Sequence, residues 1–204
     1  MESLARGGTR WKRFAVVMVP SVAATAAIGL ALAQGALAAS FSVSGQQFKV
    51  TADRLEATGF TQYGALDSTK KGNKPVTVVG MNDAEIDNLC QSVVIPVPIF
   101  GDVSMKLSAG RGETPVTAKK LYIDADDLAA NATFKNIDIG VSIDDTTKGP
   151  GAHKGDNYLG GSFAQQADAV IFTDVKQRAW ATTAGTFKLS GLKMSVKKGA
   201  HECY

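Results

Sequence analysis

The sequence contains few of the residues on which most enzyme sites depend. Its 204 residues include only two histidines, His153 and His201. A serine–histidine–acid triad needs a histidine held between an acid and a nucleophile, and a zinc site needs three or four clustered ligands. Neither histidine lies in such a setting, no G-x-S-x-G elbow is present, and no glycine-rich phosphate loop joins a strand to a helix. We therefore expect no metal site and no cofactor.

Charge is absent from residues 14–33, FAVVMVPSVAATAAIGLALA, which follow four basic residues at positions 6, 10, 12 and 13. This order, with small residues at Ala36 and Ala38, is typical of a secretory signal peptide. The run is also about long enough to span a bilayer, so a retained membrane anchor is the alternative. Both interpretations place residues 39–204 outside the cytoplasm. The predicted domains are 1–38, a signal peptide or anchor, and 39–204, a single β-rich extracytoplasmic domain.

Net charge is also absent once the first 38 residues are set aside. Residues 39–204 contain 18 basic and 18 acidic residues. A neutral body exerts no long-range attraction on a polyanion, so we expect no nucleic-acid partner. The aspartate pairs at 126–127 and 144–145 do not complete a D-x-D-x-D-G calcium loop, and we expect them at solvated strand ends.

Apolar and polar residues alternate through most of the remaining chain, as in FKVTA at 48–52, LYIDA at 121–125 and IDIGVSI at 137–143. A period of two is the pattern of half-buried strands. We predict an all-β fold, either an antiparallel β-sandwich or roll or a curved open β-solenoid, preceded by an N-terminal hydrophobic helix. One short helical turn is allowed at 82–90, where Asn82 and Glu85 would form a capping box.

A short unit, Ala-Asp-x-apolar, occurs three times, as ADRL at 52–55, ADDL at 125–128 and ADAV at 167–170. We interpret the units as equivalent corners, at which strands turn and the aspartate accepts the corner hydrogen bonds.

The chain has two cysteines, Cys90 and Cys203. An even count in an oxidising compartment predicts one disulfide between them.

The segment at 93–100, VVIPVPIF, is the most apolar part of the predicted domain. Its two prolines exclude it from the centre of a sheet. It is either a buried edge strand or an exposed apolar surface. In the second case we expect the segment to line a groove that binds a lipid-like or other apolar ligand, or to contact a membrane. One aromatic residue from elsewhere in the chain would face this groove. The predicted ligand-binding residues are Val94, Ile95, Val97, Ile99, Phe100 and Trp180.

Several segments together resemble a known family: the leader GTRWKRF with the apolar run, then NLCQSV, ATFKNIDIG, GGSFAQQAD, TDVKQRAWATTAGTFKLSGL and ECY. The chain is similar to a family of actinobacterial, Streptomyces-type, secreted or membrane-anchored proteins of unknown function. Some members carry the automatic label "cholesterol esterase". The resemblance implies an envelope location and a small multi-span membrane protein as a partner, and it implies no catalytic residue.

Three functions are compatible with these observations. The first is a non-catalytic envelope protein that binds a lipid-like ligand or a membrane partner. The second is a secreted lipid or sterol ester hydrolase, with Ser162 as nucleophile, His153 as base and Asp156 as acid. These three residues lie in one glycine-rich loop, which holds a catalytic geometry poorly. The third is a purely structural surface module.

Overall fold

A computed structural model describes residues 45–69 and 72–204. Strands make up most of this part of the chain, so the predicted all-β class is confirmed. The elements are β1 (Phe48–Thr69), β2 (Gly72–Asp87), β3 (Leu89–Val97), β4 (Gly101–Ala109), β5 (Val116–Ser142), a 3₁₀ helix (Ile143–Asp145), β6 (Phe163–Thr183), β7 (Thr186–Lys188) and β8 (Lys193–Lys198). No helix in these ranges is long and apolar enough to cross a membrane. The predicted hydrophobic helix at the N-terminus, and segment 1–38 as a whole, lie outside the described residues.

Four of the strands close into a ring. β1 pairs antiparallel with β2 and with β6. β5 pairs with the same two strands, and Tyr122 shows the closure because it is opposite both Gly80 of β2 and Thr183 of β6. Closing a sheet on itself leaves its central strands without unpaired edges. Of the forms predicted from the sequence, this arrangement is a roll.

β3, β4 and β8, with the turn at residues 98–100, form an extension of the ring that we call the wing. β3 pairs with β1 only from Lys49 to Thr51 and then continues along the whole of β4. β8 pairs with the far side of β4. Pro96 therefore lies where β3 has one neighbouring strand, as a residue without a backbone N–H requires.

Side-chain alternation in the long strands reverses at defined positions. In β1, Ala52, Leu55, Ala57 and Phe60 all belong to one buried cluster, although strict alternation would place Ala52 and Leu55 on opposite faces. The reversals fall at residues 53 and 59. At residue 59 the pairing of β1 with both β2 and β6 is interrupted, and at residue 53 the pairing with β6 is interrupted while the neighbour on the other edge changes from β3 to β2. Each interruption turns the next apolar residue back into the core.

The interrupted positions form rows across the sheet. Gly59 is opposite both Asn82 of β2 and Asp168 of β6, and Asp168 is in turn opposite Asn136 of β5. Gly59 and Asn136 have positive φ angles of 63° and 54°, a conformation that glycine and asparagine tolerate best. Such irregularities increase the local twist of a strand, and a ring of only four strands needs strong twist to close.

Aspartate–asparagine hydrogen bonds hold the rows together. Asn136 Nδ2 donates to Asp168 Oδ2 at 2.9 Å, and Asn88 Nδ2 donates to Asp53 Oδ2 at 2.9 Å. A third bond of the same length joins Asn131 to an aspartate of β6, residue 174. The side-chain amide thus bonds across the sheet at the positions where the regular backbone pairing is interrupted.

The interpretation of the Ala-Asp units as corners is therefore wrong, because all three lie inside strands β1, β5 and β6. The alanine faces the core, the aspartate occupies the interrupted position, and the apolar residue returns to the core as Leu55 and Val170. In β5 the register shifts at Asp126, and Leu128 is left partly exposed. The repeated Ala-Asp unit therefore marks positions at which the alternation of side chains between the two faces of the sheet reverses.

The helical turn allowed at 82–90 is also wrong, since these residues belong to β2 and β3. Ala84 and Ile86 are buried while Asp83 and Glu85 are exposed. Burying the apolar set with period two stabilises the strand more than a capping box stabilises one isolated helical turn.

The ring separates two hydrophobic clusters. The inner cluster includes Phe60, Met81, Leu121 and Phe172, with the rings of Phe60 and Phe134 5.2 Å apart. The outer cluster lies beneath residues 146–162, the connection to β6, which we call the strap. Its buried members are Tyr63, Ala65, Val76, Val78, Ile143 and Ala164.

Replacing Gly59 with alanine tests the role of the interrupted rows. At φ 63° a Cβ is strained, and here it would overlap the side chain of Asn82. We expect Gly59→Ala to lower the free energy of unfolding by about 1–3 kcal/mol. Gly64→Ala is the matched control on the same strand, because no atom lies within 4 Å of the added Cβ. Urea titrations that give both variants the same midpoint would contradict this explanation.

Candidate functional site

The wing has one bare face, lined by apolar side chains. Residues paired across strands share a face, so Val93, Met105 and Val196 form one row. Leu107 and Met194 lie in the next row, and together the rows line an open groove of about 250 Å³ that we call the wing groove. Met194 and Val196 are 66% and 65% exposed. An apolar surface of this kind marks a site of interaction more often than a scattered apolar residue does.

The opposite face of the wing is covered by residues 199–204. The predicted disulfide joins Cys90 to Cys203, with their Cα atoms 6.0 Å apart. Ser92 Oγ accepts a hydrogen bond from the Cys203 amide at 2.9 Å, and Ser104 Oγ accepts one from the His201 amide at 2.7 Å. The C-terminal segment thus gives this face a cover that the groove face lacks.

The turn between β3 and β4, which we call the apex, presents two large apolar side chains to solvent. Ile99 is fully exposed and Phe100 is 68% exposed. Ile99 also has a φ of 74°, and a β-branched residue in this region is strained by about 1–2 kcal/mol. Residues that keep both strain and apolar exposure are candidates for binding.

Five of the six predicted ligand-binding residues lie on the wing, in three places. Ile95 and Val97 lie on the groove face of β3, and Ile99 and Phe100 form the apex. Val94 pairs with Ser104 and so lies on the covered face.

Trp180 is on β6, where it packs against the outer cluster, and its Nε1 donates to Asp126 at 3.3 Å. Sequence reasoning missed Met105, Leu107, Met194 and Val196, although the alternation in VSMKL and LKMSV was a signal for all four.

The wing has an unequal charge distribution. No charged residue occurs from 88 to 101. Beyond that stretch the wing carries one acid, Asp102, and four bases, Lys106, Lys193, Lys197 and Lys198. Because residues 39–204 have balanced charges, the remainder of the domain is net negative.

A second candidate site lies where the strap crosses β1. Tyr63 Oη donates to Asp156 Oδ2 at 2.5 Å and accepts from the His153 amide at 2.8 Å. His153 Nδ1 is 3.1 Å from Asp156 Oδ1, and its ring is 4.7 Å from that of Tyr122. Burial, followed by the hydrogen bond to Asp156, raises the pKa of Tyr63 above its usual value.

The strap does not assemble the serine–histidine–acid arrangement considered above. The histidine and the aspartate are in contact, but Ser162 Oγ is buried and has no hydrogen-bond partner in the part of the chain that is described. Both oxygens of Asp156 are already engaged, one by Tyr63 and one by His153. Within the same ranges no group of three histidine, cysteine or acidic residues is placed to hold a metal ion.

Two further carboxylates lie close to this cluster. Burial, with the negative charges of Asp67 and Asp156, raises the pKa of Asp124 to about 7. Burial, with the charge of Asp156, also raises the pKa of Asp67 to about 6. Oδ2 of Asp67 is buried without a hydrogen-bond partner among the described residues. In the folded protein both groups therefore take up a proton at a higher pH than an exposed aspartate does.

This environment predicts that the domain is more stable in mild acid. A carboxyl group with a raised pKa binds more protons folded than unfolded, so the free energy of unfolding falls as the pH rises from about 4 through 7. For Asp124 the full fall is at most about 4 kcal/mol. We expect Asp124→Asn to remove most of the pH dependence in urea titrations at pH 5 and pH 8, and exposed Asp127→Asn to retain it. If the free energy of unfolding changes equally with pH in both variants, the pH dependence does not come from Asp124.

The disulfide predicts a second effect on stability. Its cysteines are 113 residues apart, and closing a loop of this length stabilises a domain by about 4–5 kcal/mol in the chain-entropy model. We expect the Cys90→Ser/Cys203→Ser pair to lower the free energy of unfolding by a few kcal/mol. Denaturant titrations of the pair and of the reduced parent should agree. A midpoint unchanged by reduction would show that the covering segment is held without the bond.

Comparison with known proteins gives a family and no function. No curated protein and no solved structure matches the chain significantly. One family model matches residues 44–204, which include every described strand. The chain therefore belongs to DUF6230, a family of unknown function.

Proposed function

We propose that the protein is an exported, non-catalytic protein of the cell envelope that binds a lipid-like molecule in the wing groove. The observation that carries this proposal is the bare apolar face of the wing, opposite a face that residues 199–204 cover completely enough to bury Ser92 and Ser104. Export is supported by the leader pattern in residues 1–38 and by the resemblance to secreted actinobacterial proteins.

The size and chemistry of the groove favour part of a lipid as the ligand. Its volume of about 250 Å³ lies below the range of roughly 300–1,000 Å³ for sites that enclose a drug-sized molecule. Met105, Met194 and Val196 line it, and methionine side chains adapt to irregular apolar ligands. Each large side chain that the ligand covers contributes about 1.5–3 kcal/mol at full burial. A single acyl chain, with its headgroup outside the groove, fits these constraints.

The other two functions receive less support. An ester hydrolase, suggested by the label on some relatives, needs a serine activated by a base, and the hydroxyl of Ser162 has no such contact. A purely structural module gives no reason to keep Met194 and Val196 exposed on a sheet face.

Native mass spectrometry of the protein purified from its host tests the proposal. We expect the protein to carry a lipid-like adduct, and Val196→Glu to lose it because a carboxylate on the groove face would be buried against the ligand. Thr133→Glu adds the same charge to an exposed position on β5 and should keep the adduct. If the parent protein carries no adduct, or if both variants keep it, the groove is not the binding site.

A further inference from the structure

We propose that the apex inserts into a bilayer containing anionic lipid, so that the wing stands on the membrane surface. The inference rests on the proposed function only in placing lipid at the wing. It adds the orientation of the domain, the inserted residues and the class of lipid headgroup.

The apex projects beyond the ring. β3 runs antiparallel to β1, with Ser92 beside Lys49. The apex lies seven residues beyond Ser92, roughly 23 Å further at 3.3 Å per residue. It therefore extends past the end of the ring at which β1 begins, and a flat surface at that end meets the apex before it meets the ring.

The apex has the chemistry of an interfacial anchor. Ile99 and Phe100 have the most exposed large apolar side chains of the β3–β4 hairpin. They lie within the uncharged stretch from 88 to 101. Large apolar and aromatic side chains enter the boundary between headgroups and acyl chains, and neighbouring basic residues remain at the headgroups.

The basic residues next to the apex determine the lipid class. Lys198 pairs with Val103, three residues after Phe100 ends the turn, and Lys197 pairs with Ser104. A lysine close to an anionic leaflet increases the affinity by about fivefold. Asp102 is the only acid on the wing, so the apex meets anionic headgroups with a positive surface.

A second copy of the chain is a less suitable occupant. β8 is the edge of the sheet, and two β8 strands paired antiparallel would place Lys193, Lys197 and Lys198 of one copy near those of the other. Lysines on an edge strand discourage such pairing. The same charges attract an anionic bilayer, which gives them a favourable partner.

Tryptophan quenching by brominated lipids tests insertion. The full chain is mixed with vesicles of phosphatidylcholine and phosphatidylglycerol, and the emission added by Phe100→Trp is measured as the difference from the parent, which contains Trp11 and Trp180. Phe163→Trp is the control, because Phe163 is 59% exposed and lies at the start of β6, next to the partner of Tyr63 at the other end of the ring. We expect strong quenching at position 100 and little at 163. Equal quenching, or none at 100, overturns the proposal.

Replacing the lysines next to the apex tests whether binding requires anionic headgroups. We expect Lys197→Gln/Lys198→Gln to weaken quenching at position 100 severalfold in the mixed vesicles, and exposed Lys135→Gln/Lys154→Gln to leave it unchanged. Vesicles of phosphatidylcholine alone should quench the parent Phe100→Trp less. If quenching does not depend on phosphatidylglycerol, or if both lysine pairs act alike, the anionic surface is refuted.

The outcomes separate this inference from the proposed function. A lipid adduct without quenching at position 100 overturns insertion and leaves the groove as a ligand site. Quenching at position 100 without an adduct supports insertion and removes the groove ligand. Concentration-dependent shielding of position 100 from an aqueous quencher in the absence of lipid would identify a second copy as the occupant and overturn the membrane proposal.

Discussion

The constraint on which this structure depends is the closure of four long antiparallel strands into one ring. So few strands close only if each is strongly twisted, and strict alternation over more than 20 residues would then carry apolar side chains out of the core. The rows through Gly59 and Asp53 solve both problems, because they add twist and return the next apolar residue to the interior. The aspartate–asparagine side-chain bonds join neighbouring strands at positions where the backbone pairing is interrupted. The interrupted rows therefore account for the closure of the ring, for the burial of the apolar residues and for the repeated Ala-Asp unit.

The wing follows from the same closure. Once the central strands are paired on both edges, β3 has nowhere to continue except away from the ring, and it leaves with one neighbour, β4. A three-stranded sheet outside the ring has two faces to cover. The disulfide and the serine hydrogen bonds fix residues 199–204 over one of them. No second segment among the described residues does the same for Val93, Met105 and Val196, so the two faces of the wing differ in cover, and the proposed binding face is the bare one.

The strands and the disulfide could be predicted from the sequence because both depend on local pattern or on counting. The period of two identified segments of β1 and β5, and two cysteines allow one intramolecular pairing. The reversals could not be predicted, since whether Asp53 is a corner or an interrupted position depends on its neighbours in the folded sheet. The same limitation explains Val94, whose face is set by a C-terminal segment more than 100 residues away, and the missed groove residues of β4 and β8. The raised pKa values of Asp67 and Asp124 also depend on the fold, because burial and the nearby charge of Asp156 produce them.

Polar and apolar functions are thus separated along β1. At the strap end, Asp156 uses one oxygen for Tyr63 and the other for His153, so the groups that resemble a catalytic pair are occupied in holding the strap against the ring. A histidine whose acid partner also binds a buried tyrosine is restrained as part of the packing. At the wing end, by contrast, the apolar side chains at the apex have no partner within the described domain, and the lysines beside them extend into solvent. The partner that we propose for the apex suits both groups, because a bilayer with anionic headgroups is apolar in its interior and negatively charged at its surface.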